Sequence, residues 1–570
     1  MHFRVILSSV MAAASGALWA AEPVVQAALP LITVPITLDK PGYLTAVIED
    51  ENGLRACNLV SEYKSPAGKM TFNWDFYDVG IQPGREKVKQ GDQEVEVLKP
   101  YVRRLVKPGT YKVRGLVHDG IVMKYEQSVY SPGTPPWKTA DMSGTWMGDH
   151  GNPFDVLFLD KGPNGQPTLV LATGCAEAGH AFSFCDLTGK KYKGVNSDNF
   201  SGADSVKNDR KPGADPNKLY FINGNGLCTL GENDRHVVLM KPTRKKPLPV
   251  LGDYAHPDLA VYGGLAILSE SDNRANIDTT TGNLLVVDLA TKTELFNLVT
   301  GVSRGVAFDT DGKLYALIDG NLVRYQWDAA KKTLVEEAKV ITGLISPQRV
   351  FIDSAGQFYI SVFGDAHQIQ VFDKAGIKLR TIGKPGGPQI GPYDEQRMDR
   401  PYGMAVTPAG ELWVAEQTAV PKRISVWDAK TGAFKKAIYG GPQYGGGGTL
   451  DPADKTIFYY PALVSPVNRA LMVFKLDWKT GAYKLTDIPM RTSLCGRKLA
   501  QKWDGPDADA PEEKEQVFTP FDVAFNNRIS PSPHMAVHAG GHRYLFNRGY
   551  RADQPFYSII WRWDEGKDAI

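Results

Sequence analysis

Arg304-Gly-Val-Ala-Phe-Asp-Thr-Asp-Gly-Lys-Leu-Tyr-Ala-Leu317 is the first of three stretches of this chain that share one pattern. The second is Arg349-Val-Phe-Ile-Asp-Ser-Ala-Gly-Gln-Phe-Tyr-Ile-Ser361, and the third is Tyr402-Gly-Met-Ala-Val-Thr-Pro-Ala-Gly-Glu-Leu-Trp-Val-Ala415. Each predicts an apolar strand, a turn that contains glycine, and an apolar-aromatic strand. The turn glycines, Gly312, Gly356 and Gly410, lie 44 and 54 residues apart. Repeats of about 40–50 residues built from short strands are typical of a β-propeller.

Length and composition limit the number of domains and the classes of ligand that this chain can have. The chain has 570 residues, which is too long for one ordinary core, so we expect at least two domains. Its 65 basic and 63 acidic residues leave a formal net charge of +2, which gives no strongly basic field to hold nucleic acid. The 57 glycines and 38 prolines fit an all-β chain with many turns.

The N-terminus predicts an export signal over residues 1–21. Arg4 supplies the positive charge, residues 5–18 form an apolar run rich in alanine, and the small residues Ala20 and Ala21 follow. The run is too short to span a bilayer, and no later segment is a transmembrane candidate. We therefore expect a periplasmic or secreted protein.

Residues 30–130 predict a separate small β-sandwich made of several short strands. The hairpin "IEDENGLRACNLV", the strand "NWD" and the final strand "LKPGTYKVRGL" resemble the immunoglobulin-like domain of flagellar hook-capping proteins. The resemblance implies an attached Ig-like domain that fits a protein partner as well as an enzyme. Residues 131–149, with Ser131-Pro-Gly-Thr-Pro-Pro136, predict a stiff linker.

Residues 150–570 predict a propeller with seven or eight blades. The tails "GNLVRYQWD", "HQIQVFDKAGIKLRTIG" and "KRISVWDAKTGAFKKAIYG" make the repeats similar to NHL repeats. If the short second module belongs to the first, seven blades remain instead of eight. Insertions at 194–215, 386–399, 440–455 and 495–517 are predicted to be surface loops. The candidate modules lie near 151–192, 216–248, 259–300, 302–343, 347–385, 400–440, 456–488 and 518–566.

Candidate ligand-binding residues fall at two places in each module. In a propeller, the loops that enter the innermost strands and the loops between the second and third strands open on one face, around the central channel. Loop ends are also polar simply because they meet water, and Arg and Asp alternate as if to pair across blades in solvated bridges. The entry loops carry Arg304, Gln348, Arg349, Arg400, Tyr402 and Asp522, with His150 at the equivalent place in the first module, and the second set carries Glu177, His180 and Glu416.

The residue types at the entry loops indicate an anionic ligand. Arg304, Arg349 and Arg400 recur in consecutive modules, and the planar guanidinium fork suits carboxylate, sulfate or phosphate. A lyase acting on uronate-containing glycans would use Arg304 or Arg349 to neutralise the carboxylate, His150 as base and Tyr402 as acid. Several secreted propellers are polysaccharide lyases, which is an analogy of fold alone.

Other functions stay open on the same residues. Glu177, Glu270 and Glu416 occupy equivalent places, and two carboxylates at the right separation would serve a glycoside hydrolase. A propeller that binds a ligand or protein without catalysis fits equally well. The propeller lyase that processes amidated peptides also has NHL-type blades, but here Arg304, Arg349 and Tyr402 replace the histidines of its zinc site. No cofactor is predicted, apart from a structural calcium ion held by backbone carbonyls and carboxylates.

The five cysteines form no pattern that points to metal or haem binding. Cys175 and Cys185 flank a predicted hairpin, a spacing that allows a disulfide. Cys57, Cys228 and Cys495 lie far apart in the sequence, so we expect at least one buried thiol among the five.

Overall fold

The structure is a computed structural model, and the regular secondary structure of the residues it describes is almost entirely antiparallel β-sheet. Contacts divide the chain into two compact units, Met1–Tyr125 and Glu126–Ile570. The model describes residues 2–7, 31–81, 85–90, 93–99, 102–120, 122, 124, 126, 147, 151–174, 180–196, 202–241, 258–271, 282–389, 391–419, 421–440, 448–465, 468–491, 535–540, 542–551 and 554–563. Within these ranges no helix is long and apolar enough to cross a membrane.

The first unit consists of two sheets and a hairpin. The larger sheet has the order β1 (His2–Leu7), β8 (Tyr111–His118), β3 (Gly42–Glu49) and β4 (Arg55–Ser65). The second sheet pairs β2 (Ile32–Leu38) with β5 (Gly68–Trp74), and β6 (Arg85–Gln90) pairs with β7 (Gln93–Leu98). Alternate residues of β2 and β3 point into one shared core, as expected for half-buried strands. That core includes Val34, Ile36, Leu38, Leu44, Ala46, Ile48, Cys57 and Trp74.

Strand β1 lies inside the predicted export signal. It pairs with β8 from His2 opposite Leu116 to Leu7 opposite Tyr111, and it forms the edge of its sheet. Cleavage after residue 21 would remove β1 and make β8 the new edge. The Cys57 thiol in the core of this unit is free, and its burial raises its pKa to about 11.

In its described residues, the second unit has six four-stranded sheets in which the strands follow one another in chain order. We number them as blades 1 to 6. Blade 1 has β9 (Pro153–Leu159), β10 (Thr168–Thr173), β11 (His180–Cys185) and β12 (Lys191–Asn196). Blade 2 has β13 (Ser205–Lys207), β14 (Tyr220–Asn223), β15 (Gly226–Leu230) and β16 (His236–Met240), with a 3-10 turn at Glu232–Asp234. Blade 3 has β17 (Asp258–Tyr262), β18 (Leu265–Ser271), β19 (Gly282–Asp288) and β20 (Thr293–Thr300).

The remaining blades carry the three repeats of the sequence. Blade 4 has β21 (Ser303–Phe308), β22 (Leu314–Ile318), β23 (Asn321–Asp328) and β24 (Thr333–Ile341). Blade 5 has β25 (Pro347–Ile352), β26 (Phe358–Val362), β27 (Gln368–Phe372) and β28 (Lys378–Ile382). Blade 6 has β30 (Pro401–Val406), β31 (Glu411–Ala419), β32 (Lys422–Asp428) and β33 (Phe434–Gly440).

The first strands of these blades close into a ring. Each contacts the next in the order β9, β13, β17, β21, β25 and β30, and β30 contacts β9 again. Blades 1 and 6 share an apolar core where the ring closes. It includes Val156, Leu169 and Leu171 of blade 1 and Trp413 and Val426 of blade 6. The described strands therefore form a propeller.

The prediction of seven or eight blades is not confirmed, because the contact between β30 and β9 closes the ring after blade 6. The last two predicted modules form separate sheets. One is β29 (Gly391–Pro392), β37 (Tyr483–Arg491), β36 (Asn468–Leu476), β35 (Ile457–Ser465) and β34 (Thr449–Leu450), and the other is β38 (Met535–Ala539), β39 (His542–Arg551) and β40 (Gln554–Trp563).

The turn between the first two strands explains why the sequence repeats. Asp309 Oδ1 accepts hydrogen bonds from the backbone N–H groups of residues 311 and 313, and Asp353 Oδ1 does the same for residues 355 and 357. The glycine that follows has a left-handed backbone, with φ of +78° at Gly312, +77° at Gly356 and +76° at Gly410. Glycine adopts this conformation without a steric penalty, so it recurs in each copy.

Three insertions that were predicted to be surface loops contain short strands. Residues 194–215 contain β13, the first strand of blade 2, while 386–399 contain β29 and 440–455 contain β34. A strand of two or three residues is too short to show an alternating apolar pattern. The sequence pattern therefore does not predict these three strands.

Candidate functional site

Each first strand places a polar side chain at the axis of the ring. We call the following residues the axial cluster, because each interacts with at least one other member. Its members are Asp155, Ser205, Lys207, Asp258, Arg304, Arg349 and Tyr402. The predicted site residues Arg304, Arg349 and Tyr402 are thus brought together from blades 4, 5 and 6.

Asp258 lies at the centre of the axial cluster and is 1% exposed. Its Oδ1 atom accepts a hydrogen bond from Ser205 Oγ at 2.8 Å and lies 3.2 Å from Arg349 Nη1. Its Oδ2 atom accepts the backbone N–H of Val306 at 3.0 Å. One carboxylate of blade 3 therefore connects to blades 2, 4 and 5.

Asp155 has the same role between blades 1 and 2. Its Oδ2 atom accepts the backbone N–H of Val206 at 2.9 Å and forms an ion pair with Lys207 Nζ. Ser205 Oγ lies 3.2 Å from the same oxygen, so its single proton is shared with Asp258. Lys207 Nζ is also 3.9 Å from Asp258. The carboxylates of Asp155 and Asp258 are thus paired with the cations of Lys207 and Arg349. Buried charges are stable only when they are paired in this way.

Arg349 joins this balanced group to Tyr402. Its guanidinium carbon lies 4.2 Å from the centre of the Tyr402 ring, and Nη2 donates to the carbonyl oxygen of Asp204 at 3.3 Å. Burial alone would lower the pKa of Arg349, but Asp258 and other nearby groups outweigh burial and the pKa is raised. The predicted pairing of Arg and Asp across blades is therefore present, although this pair is buried and not solvated.

Arg304 differs from Arg349 in its electrostatic surroundings. Its pKa is lowered, first because the guanidinium is buried and further because Arg349 carries the same charge, against an opposing effect of Tyr402. Burial raises the pKa of Tyr402, although Arg349 and Arg304 act against that change. Arg304 is therefore a half-buried cation whose pKa responds to both Tyr402 and Arg349.

Two glycines of the repeats allow the first strands to come this close. A Cβ atom at Gly403 would lie 2.1 Å from Asp155 Oδ1, and a Cβ atom at Gly305 would lie 2.7 Å from the Cα atom of Arg349. These glycines directly follow Tyr402 and Arg304. The dipeptides Arg-Gly and Tyr-Gly of the sequence therefore combine a side chain of the axial cluster with a close contact between blades.

Arg400 is linked to Tyr402 of the axial cluster by the Phe363 ring, which lies near both side chains. Its guanidinium carbon lies 5.4 Å from the centre of the Phe363 ring, which in turn lies 6.0 Å from the Tyr402 ring. The backbone N–H of Arg400 donates to His367 Nδ1 at 2.9 Å, and Arg400 has a φ of +55°. Gln348, by contrast, donates to the carbonyl oxygen of Ser346 in its own loop.

Two predicted ligand-binding residues are held in buried pairs within their own blades. His180 is 3% exposed, and its Nδ1 lies 2.9 Å from Nζ of the buried Lys191. Glu416 is 0% exposed and lies 3.1 Å from Arg423 Nη1, while it accepts the backbone N–H of Asp399 at 2.8 Å. Burial raises the pKa of Glu416 despite the opposing effect of Arg423. In the hydrolase hypothesis, Glu416 would be one of the two catalytic carboxylates. The structure pairs this carboxylate with Arg423.

Other predictions fall outside the described residues. These are His150, Glu177 and Asp522 of the site, Cys175 of the suggested disulfide, residues 131–146 and 148–149 of the linker, and the predicted surface loop 495–517 with Cys495. Cys185, the other cysteine of that suggestion, is buried in blade 1. In the described part of the chain, no group of three or more His, Cys, Asp or Glu side chains is placed to hold a metal ion. A structural calcium ion stays a prediction.

Sequence reasoning missed Asp155, Ser205, Lys207 and Asp258. The two aspartates have one signal, which is a single carboxylate within an apolar stretch, in "PFDVLFL" and "HPDLAVY". Aspartate is seldom fully buried unless it is paired. An isolated aspartate in a buried first strand therefore indicates a partner in another blade, although it does not say which one.

Comparisons with known proteins do not assign the chain to a family. No family model and no curated protein matches it. Among solved structures, it is similar to a gluconolactonase from Xanthomonas campestris with 14% identity and a TM-score of 0.34, over 51% of this chain and 95% of that chain. It is also similar to hydrazine synthase from Kuenenia stuttgartiensis with 14% identity and a TM-score of 0.25, over 42% and 68% of the two chains.

A third structure of this kind is the extracellular domain of a hybrid two-component system from B. thetaiotaomicron. It shares 13% identity and a TM-score of 0.31, over 62% of this chain and 41% of that chain. Because all three TM-scores are below 0.5, these likenesses carry no argument about activity. The propeller assignment rests on the ring of sheets in this chain.

Proposed function

We propose that this protein binds an anionic carbohydrate at the end of the propeller axis where Arg304 and Tyr402 lie. The observation that supports this is the placement of two guanidinium groups, Arg304 and Arg349, from neighbouring blades. Arg349 forms an ion pair with Asp258, and Arg304 lies close enough to Arg349 and Tyr402 for both to act on its pKa. A carboxylate ligand at this place would meet guanidinium groups, whose planar forks suit a carboxylate.

The aromatic rings beside Tyr402 favour a sugar acid over a bare anion. Phe363 is partly exposed and lies between Arg400 and Tyr402, and Phe154 packs edge-on against Tyr402 with 5.8 Å between ring centres. Phe363 offers an apolar face for the C–H side of a sugar ring. Arg304 would offer its guanidinium fork to the carboxylate of that sugar.

We predict that Arg304→Gln lowers the affinity for a galacturonate trisaccharide at least about tenfold, because one charge-assisted contact is worth about 1.5–3 kcal/mol. Isothermal titration calorimetry at low salt measures this, with maltotriose as the neutral counterpart that should not bind here. Arg235→Gln is the matched control, since Arg235 is exposed on blade 2. Equal affinities for wild type and Arg304→Gln, or no binding to wild type, would contradict the proposal.

The second candidate function is β-elimination at the same site. The observation that favours it is the phenol of Tyr402 beside two guanidinium groups, with a pKa that burial keeps above its usual value. Arg304 would neutralise the uronate carboxylate, and His150 would remove the C5 proton. Tyr402 would protonate the leaving oxygen as the C4–O bond breaks, and a C4–C5 double bond would form.

We predict that wild-type protein releases an unsaturated uronate from the trisaccharide and that Tyr402→Phe and His150→Ala each reduce the rate at least about a hundredfold. Absorbance of the conjugated product measures the rate, and thermal unfolding checks that both variants fold. Unchanged turnover in His150→Ala would exclude the assigned base. Binding without turnover in wild type would leave the non-catalytic carbohydrate-binding function.

Finer features of the architecture belong to the same proposal. The six blades would be of the NHL type, and the first unit, with its shared two-sheet core, would be the Ig-like domain that contacts a protein partner. Residues 1–21 would direct export, so that both units would work in the periplasm or outside the cell. N-terminal sequencing of the exported protein tests the cleavage site.

A further inference from the structure

The propeller axis has a second end with different chemistry. A cavity of about 480 Å³ lies between the first strands and opens where those strands finish, beside Asp160, Arg210 and Ser354. Its deep end is lined by the four charged members of the axial cluster that balance one another, Asp155, Lys207, Asp258 and Arg349. Neither Arg304 nor Tyr402 lines it. The ion pairs therefore form a layer that separates this cavity from the proposed uronate site.

We propose that this cavity binds a small uncharged polyol, such as a monosaccharide or a sugar alcohol. Its volume falls within the range of about 300–1,000 Å³ that is typical of small-molecule sites. A site at this end is independent of the proposed function, since it uses the opposite opening of the ring.

The walls of the cavity offer both hydrogen-bond donors and acceptors. Each first strand pairs with only one neighbour within its sheet, so its other edge turns backbone N–H and C=O groups toward the axis. Residues of β9, β17, β21, β25 and β30 all line the cavity. A hydroxyl group both donates and accepts, and a polyol therefore matches such a wall better than a ligand with acceptors alone.

The charges at the deep end of the cavity pair with one another, and two charged side chains at its mouth bind backbone groups. At the deep end Lys207 pairs with Asp155, and Arg349 pairs with Asp258. At the mouth Arg210 Nη1 donates to the carbonyl oxygen of Ile352 at 2.9 Å, and Asp209 accepts the N–H groups of Gly263 and Gly264. A charged ligand at the deep end would lose its hydration without gaining a counter-ion, whereas an uncharged polyol loses less.

A matched pair of turn variants tests this site. Ser354 is exposed at the mouth, in the Asp-Ser-Ala-Gly turn of blade 5, and Thr310 is exposed at the same position of the Asp-Thr-Asp-Gly turn of blade 4 but does not line the cavity. Ser354→Trp should obstruct the mouth, while Thr310→Trp places the same side chain on an equivalent turn elsewhere. Thermal unfolding confirms that both variants fold.

The probes are D-glucose and myo-inositol, measured by saturation-transfer NMR and by titration. We expect at least one of them to bind wild type and Thr310→Trp alike, and its affinity for Ser354→Trp to fall at least about tenfold. The proposal is overturned if neither polyol binds wild type, or if Ser354→Trp binds as wild type does. Neither outcome depends on whether the galacturonate trisaccharide binds. Binding of the trisaccharide to wild type is titrated in parallel.

Discussion

Asp258→Ala is expected to lower the free energy of unfolding of the propeller by about 3–5 kcal/mol. The Asp258 carboxylate is buried, and it accepts hydrogen bonds from Ser205 Oγ and from the N–H of Val306. It also lies 3.2 Å from the guanidinium of Arg349, which is 3% exposed. Its removal leaves a buried cation without its nearest carboxylate and breaks connections from blade 3 to blades 2, 4 and 5.

Urea unfolding followed by tryptophan fluorescence measures this loss. Asp311→Ala is the control, because Asp311 is exposed on a turn of blade 4 and should change stability by no more than about 0.5 kcal/mol. Asp258→Ala/Arg349→Met should recover part of the loss, because the unbalanced cation is removed as well. A loss below about 1 kcal/mol in Asp258→Ala would show that the ion pair does not hold the blades together.

The second large effect is expected at the buried pair of blade 6. Arg423→Met should cost about 3–5 kcal/mol at neutral pH, because it leaves the Glu416 carboxylate, which is 0% exposed, without its cation. Arg423 also donates to the carbonyl oxygens of Arg397 and Glu395, so the variant removes the donor of two partly buried acceptors. The double variant Glu416→Gln/Arg423→Met removes both charges and should recover much of the loss.

The cost of Arg423→Met should also depend on pH. Burial already raises the pKa of Glu416 against the effect of Arg423, and the variant removes that opposing effect. A carboxyl group whose folded-state pKa exceeds its unfolded value binds more protons when folded, so stability falls as pH rises through the folded pKa. Urea unfolding should therefore show a smaller penalty at pH 5 than at pH 8. An equal penalty at both pH values would contradict the assignment of Glu416 as the titrating group.

Local features of the propeller were predictable because their causes are local. Each turn uses an Asp or Thr side chain that accepts a nearby backbone N–H and a glycine with a left-handed backbone, all within one short stretch of chain. Apolar residues that alternate or run together on each side of the turn predict the two strands it joins. The positions of Arg304, Arg349 and Tyr402 at the starts of first strands follow from the same repeat.

The number of sheets in the ring was not predictable in this way. Blade 2 begins with β13, a strand of three residues within a segment rich in Gly, Asp and Pro, so its repeat is hard to detect. The sheets at 449–491 and 535–563 have ordinary strand patterns, yet they follow the ring without entering it. Whether a strand enters the ring depends on contacts with its neighbours and not on its own pattern.

By itself, the sequence determined an all-β chain with repeated strand-turn-strand units and a set of arginines at the starts of first strands. Only the tertiary structure decided which of those side chains meet and what they meet. Asp155 and Asp258 are 103 residues apart, and Arg349 is a further 91 residues along the chain. Closure of the ring brings these three residues to one axis, where burial compels the charges to pair. That pairing holds Arg349 in an ion pair with Asp258 and so joins blades that are far apart in the sequence.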